Sequence, residues 1–161
     1  MGVTGSGKTT VGGLLAAQLG WEFADADQFH PAANVDKMAR GIALTDADRE
    51  PWLAALRDAI ARWLAAGENV VLACSALKEV YREKLGIGGD VRLVYLKGSY
   101  ELIASRLRAR HRHFATEAIL ADQFAALEQP EDAIVVDVAL SPEEIVAEIR
   151  RKLSQAGVRE G

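Results

Sequence analysis

The chain has 161 residues, half of them apolar and 26% charged, with a formal net charge of -4. That length fits one domain around one core, and the acidic balance argues against a broad nucleic-acid surface. No apolar run approaches the ~20 residues that span a bilayer, no basic, apolar leader precedes the first motif, and the one cysteine, Cys74, has no internal disulfide partner, so the expected setting is a reducing cytoplasm.

The first element is already a motif. Gly2, Val3, Thr4, Gly5, Ser6, Gly7, Lys8 and Thr9 fit G-x-x-x-x-G-K-[ST] at every fixed position. Phosphate oxygens need backbone N–H groups at close range, so side chains must be absent at Gly5 and Gly7. The helix that follows aims its N-terminal N–H groups and dipole at the anion. Lys8 is placed to reach the β- and γ-phosphates, and the Thr9 hydroxyl to meet Mg²⁺. Gly2 to Thr10 are therefore the candidate ATP cradle. The guanine-reading N/T-K-x-D pattern does not appear. A strand is expected to lead into such a loop, yet only Met1 precedes Gly2. The expectation is a clipped chain whose sheet lacks its central strand and leaves two neighbours with unpaired edges.

Thr9 to Leu19 reads as a helix with Val11, Leu14, Leu15 and Leu19 on one face, stopped by Gly20. Its interior Gly12-Gly13 pair is costly there, and close approach of another backbone is one reason for it. Glu22 to Ala24 is a short strand, and Asp25-Ala-Asp27 closes it. Period-two alternation puts both carboxylates on one side, next to the phosphate loop in a parallel sheet. A kinase needs one carboxylate near Mg²⁺ and one to orient or deprotonate the acceptor hydroxyl. The same pattern also suits a turn whose Asp side chains cap the next segment. His30-Pro31 follows, as a substrate contact or as a structural pair that starts a helix.

Asp46 to Ala66 carries Trp52, Leu53, Leu56, Ile60, Trp63 and Leu64 at helical spacing and stops at Gly67, with Thr45 or Asp46 as the N-cap. Arg49 is out of place in a first helical turn and needs an anionic partner, from this protein or from a ligand. Val70 to Cys74, Val91 to Leu96 and Ala133 to Val138 are further buried strands. Between the last two lies a basic segment, with four arginines and two histidines in residues 106–113. Arg106 and Arg110 share a helical face, which suits a lid over a transferring phosphoryl group. A solvated basic face competes with that reading. Ser141-Pro-Glu-Glu144 is a capping box that opens a C-terminal helix. The alternation predicts an α/β fold, with a parallel sheet between helices on both faces.

Taken together, these segments resemble the gluconokinase family of P-loop sugar-acid kinases. The stretches that carry the resemblance lie at 1–9, 25–31, 34–53, 74–82, 94–98, 105–114 and 123–130, in the family's order. His30-Pro31, GIALTDADREPWL and CSALKEVYR are the specific ones. The resemblance implies an adenylate-kinase-like three-layer fold in a single domain, with a lid around 105–122. It also implies a homodimer and ATP-dependent phosphorylation of D-gluconate to the 6-phosphate. Lys8 and Thr9 carry over as phosphate and Mg²⁺ ligands, Asp25 as an Mg²⁺ residue, Asp27 as the residue facing the acceptor hydroxyl, and Arg106 and Arg110 as lid arginines. His30, Lys37, Arg49, Ser75, Lys78, Arg82 and His113 are the expected gluconate contacts. Arg49 and Arg82 are the best carboxylate partners, because guanidinium binds carboxylate bidentately. The family's lid has glycine where Arg112 stands here. Two rivals stay open: a kinase of the same fold with a different small acceptor, and a nucleotide-binding regulatory protein. Neither nucleic acid nor membrane is an expected partner.

Overall fold

The computed structural model describes residues 1–109 and 114–157, the side chains of 114–116 excepted. Helix α1 (Lys8–Leu19) follows the phosphate loop and ends at Gly20, whose φ of 68° only glycine takes cheaply. Strand β1 (Glu22–Asp25) leads through a 3₁₀ turn (Ala26–Phe29) to α2 (Ala32–Ala39). Helix α3 (Asp46–Ala66) opens on a capping box in which Thr45 and Asp48 satisfy each other's backbone N–H groups. Then come β2 (Val70–Ala73), α4 (Glu79–Lys84), β3 (Val94–Lys97), α5 (Tyr100–Ala109), α6 (Phe114–Ala126), β4 (Ile134–Asp137) and α7 (Pro142–Gln155). Helix α7 opens on the expected Ser141–Glu144 capping box. Among the described residues no helix is long and apolar enough to cross a membrane.

Two expected strands shift. Val91 does not extend β3, because Gly88 and Val91 exchange backbone hydrogen bonds of 3.1 and 3.0 Å in a tight turn. Cys74 does not extend β2, because the chain turns after Ala73 and takes Ala76 to a φ of 44°. The helices α2 and α4 are too short to show as periodic patterns.

The strands pair in parallel as β1 with β2 and as β3 with β4. The β2 and β3 edges are not bonded to each other. Between them sit Met1 and Gly2. The Met1 α-amino group donates to the Val94 carbonyl, the Leu96 N–H donates to the Met1 carbonyl at 3.0 Å, and the Gly2 N–H donates to the Ser75 carbonyl at 3.3 Å. Met1 thus takes the bonding pattern of a parallel strand residue opposite Tyr95. Beyond it lies a cavity of about 580 Å³, lined by the edges of β2 and β3 and by residues of α1, α3 and α7. The expectation of two neighbouring edges without strand partners agrees with this geometry.

Apolar residues cover both faces of the sheet. One cluster joins α1, α5 and α7 to β3 and β4 through residues such as Leu15, Leu96, Ile103, Val136 and Ile149. The other lies under α3 and α4, with Trp52, Leu56, Tyr81 and Leu85. Helices α1 and α7 touch, α1 over β1 and β2 and α7 over β4, so this helix pair spans the two half-sheets. These are the three layers that the strand–helix alternation implied.

Candidate functional site

The site lies where the strand ends meet the phosphate loop. Gly5 and Gly7 have φ of 75° and 93°, which an L side chain rarely adopts. A Cβ on Gly5 would also lie 2.8 Å from Leu107 of α5. Lys8 folds its ammonium back to the Val3 carbonyl at 2.9 Å. Burial pulls its pKa below the usual lysine value, and Asp27, Cys74 and Asp25 oppose that shift. Ser6 is buried, and its hydroxyl has no hydrogen-bond partner among the described residues. Thr10 is exposed on the first turn of α1.

Asp25 stands beside Thr9, whereas Asp27 falls in the 3₁₀ turn after β1, so strand alternation does not set the direction of its side chain. The Thr9 hydroxyl donates to Asp25 Oδ2 at 3.2 Å, and Asp25 Oδ1 accepts from the Asp27 N–H at 3.0 Å. Asp25 therefore caps the 3₁₀ turn and stands beside the helix-start hydroxyl, so the capping and metal-side readings apply to one residue. A hydroxyl next to a carboxylate at the mouth of an anion cradle is a donor set for a hard dication. Mg²⁺ takes one or two protein oxygens and completes its shell with phosphate and water.

His30 stacks flat on Trp52, with ring centroids 4.7 Å apart and an 8° interplanar angle. Its Nδ1 lies 3.4 Å from the Asn34 amide. Burial lowers its pKa, Asp27 raises it and Arg49 lowers it further. The Asp27 charge opposes the lowering of both Lys8 and His30, and the Arg49 charge adds to that of His30.

The expected substrate cations already have internal partners. Lys37 pairs with Asp48 at 2.6 Å, and that bond leads the effects holding the Asp48 carboxyl down at about 2. Lys78 meets both Asp46 oxygens at 2.9 Å, and the Tyr81 hydroxyl donates to Asp46 as well. The Tyr81 bond, then Lys78, holds the Asp46 carboxyl below the usual range. Arg49 donates to the Leu44 carbonyl at 2.6 Å and lies 3.8 Å from Asp46. Its need for an anion is met in part from within. Arg49 and Lys78 both lie over the Tyr81 ring, at 5.8 and 5.4 Å.

Ser75 is half-buried beside Gly2. Arg82 is only 8% exposed, and its Nη1 donates to the Ala76 and Leu77 carbonyls at 3.0 Å each. The structure places it under the loop after β2, as the brace of that loop's positive-φ turn, which leaves Arg49 as the more accessible guanidinium. Arg106 is half-buried near the end of α5. Arg110 and His113, with Arg112, lie outside the described residues. Burial pushes the Cys74 thiol up to about 11, so it stays protonated and unreactive.

Sequence reasoning missed Asn34, Asp46, Asp48, Tyr81 and Gln123. Asn34 is buried and bonds the Asp48 carbonyl at 2.7 Å, tying α2 to the start of α3. Gln123 Oε1 accepts from the Thr4 N–H of the phosphate loop at 2.6 Å. Asp46 and Asp48 stand in the same block as Arg49, so the search for Arg49's anion could have found them. Nothing local in the sequence points Gln123 at Thr4.

The sequence matches the family model for shikimate kinase over residues 4–154. It is 45% identical over 174 residues to a probable gluconokinase of Mus musculus, covering 95% of each chain. It is 48% identical over 133 residues to a gluconokinase of Gluconobacter oxydans, covering 82% of this chain and 75% of that protein. The structure superposes on a crystal structure of a gluconokinase from Sinorhizobium meliloti with a TM-score of 0.87 and 42% identity, over 97% of this chain and 90% of that one.

Proposed function

The chain belongs to the gluconokinase family, within the wider set of P-loop kinases that the shikimate kinase model describes, and from that premise we propose that it phosphorylates D-gluconate with ATP, giving 6-phospho-D-gluconate. The observation that supports the chemistry is the Thr9 hydroxyl donating to Asp25 at the first turn of α1, with the Asp27 N–H held by the same carboxylate.

In this reading residues 2–10 cradle the phosphates, with Lys8 swinging from the Val3 carbonyl to the β- and γ-oxygens. Asp27 orients the acceptor hydroxyl and takes its proton as that oxygen bonds to the γ-phosphorus and the β–γ bridging bond breaks. Thr9 and Asp25 are the protein oxygens that fit Mg²⁺, and the bound ion would neutralise charge between the phosphates. Arg106, with Arg110 beyond it in sequence, supplies positive charge to the transferring group. Arg49 and Lys78 receive the acceptor's carboxylate, which Asp46 mimics in their present pairing. His30, Lys37, Ser75 and His113 are assigned to hydroxyls, and Arg82 holds the loop that carries Ser75 and Lys78. A cytoplasmic homodimer completes the proposal, on family resemblance alone.

The test is ADP release with ATP and Mg²⁺ against gluconate, other aldonates, shikimate, glycerate and nucleoside monophosphates. Turnover on gluconate above all others is the expected result. Turnover on another acceptor replaces the substrate and keeps the kinase. Tight ATP binding without turnover on any of them moves the protein to the regulatory reading.

A further inference from the structure

The C-terminal end of α6 braces several loops at once. Gln123 Oε1 holds the Thr4 N–H of the phosphate loop at 2.6 Å. Five residues on, the Glu128 N–H donates to the Leu77 carbonyl at 2.9 Å, and the Glu128 carboxylate accepts from the Glu79 N–H. Leu77 and Glu79 flank Lys78, so Glu128 fixes the backbone on both sides of that cation. Between the two contacts, Phe124 packs edge-on against Tyr100 of α5 at 5.4 Å, and Phe124 and Leu127 lie against the larger apolar cluster. The brace is anchored in the core and cannot swing freely on its own.

The chemistry of the Gln123 contact is specific. N–H groups of a phosphate loop serve as anion donors, and here an uncharged carboxamide oxygen holds one of them. Gln123 thus fixes the direction of the Thr4 amide. A shift of the phosphate loop on nucleotide binding would pull on Gln123. A shift of Lys78 on acceptor binding would pull on Glu128. Both forces act on one short, core-anchored segment.

We propose that Gln123 and Glu128 are positioning residues that couple the nucleotide and acceptor sites through the end of α6, so that filling either site tightens the other. The proposal rests on the kinase reading above, and the coupling must be reciprocal between the two ligands. Its test is calorimetric titration of gluconate into the full chain, with and without Mg²⁺ and a non-hydrolysable ATP analogue. In the unaltered protein the analogue is expected to tighten gluconate binding about fivefold or more.

Gln123→Leu and Glu128→Ala should each bring that factor close to one, while the affinity for each ligand alone stays within about twofold. Glu128→Gln, which keeps an acceptor oxygen for the Glu79 N–H, should retain the coupling. A merely structural role would lower the melting temperature and leave the factor unchanged. Gln123→Met, nearer in shape, replaces the Leu variant if that one melts. Coupling that survives in both the Gln123 and Glu128 variants overturns the proposal, as does an unaltered protein with no coupling. If gluconate binds in neither condition, the substrate assignment fails instead, and the factor is read with the acceptor that the turnover panel selects.

Discussion

Asp27 and the glycine pair of α1 show what single residues decide here. Asp27→Asn keeps the shape and removes the carboxylate proposed as the base. Turnover is expected to fall by about a hundredfold or more, with little change in the ATP KM. Equal loss of turnover and of ATP affinity would assign Asp27 to binding instead. Gly12 and Gly13 stand side by side in sequence but not in packing. A Cβ on Gly12 would lie 2.9 Å from the Phe23 ring of β1, whereas a Cβ on Gly13 meets nothing within 4 Å. The close neighbour is thus the Phe23 ring rather than another backbone. Gly13→Ala is expected to stabilise the fold by about 1 kcal/mol in urea unfolding, and Gly12→Ala to gain less or to lose. Equal gains would show that Phe23 moves aside freely.

At the scale of elements, α2 is held to α3 by polar contacts. Lys37 bonds Asp48, and Asn34 bonds the Asp48 carbonyl. The Asp48 carboxyl titrates at about 2 in the folded chain against 3.8 as its ordinary value. A depressed carboxylate contributes stability that is complete above its unfolded value and is lost as pH falls through the folded one. The α2–α3 contact should therefore weaken between about pH 4 and pH 2. In that window Asp48→Asn should flatten the fall of the melting temperature with pH. An unchanged slope would place the acid sensitivity elsewhere.

For the whole molecule, legibility followed chain distance. The phosphate loop, the Asp25-Ala-Asp27 pair and both long helices are contiguous in sequence, so local chemistry revealed them. The three-layer order came from the alternation of strand and helix. What stayed hidden was made by pairing across the fold: Asp46 with Lys78 and Tyr81, Asn34 with Asp48, and Thr4 with Gln123. A cation's need for a partner is visible in sequence, as at Arg49, but which carboxylate supplies it depends on distances that only the folded chain sets. Arg82 shows the reverse case. Its place in a family-like block suggested a ligand, and burial put its guanidinium on two carbonyls.

The flat stack of His30 on Trp52 also gives the site its own optical reporter. An imidazole lying on an indole ring dims its emission, so a ligand that shifts His30 changes the tryptophan signal with no added label.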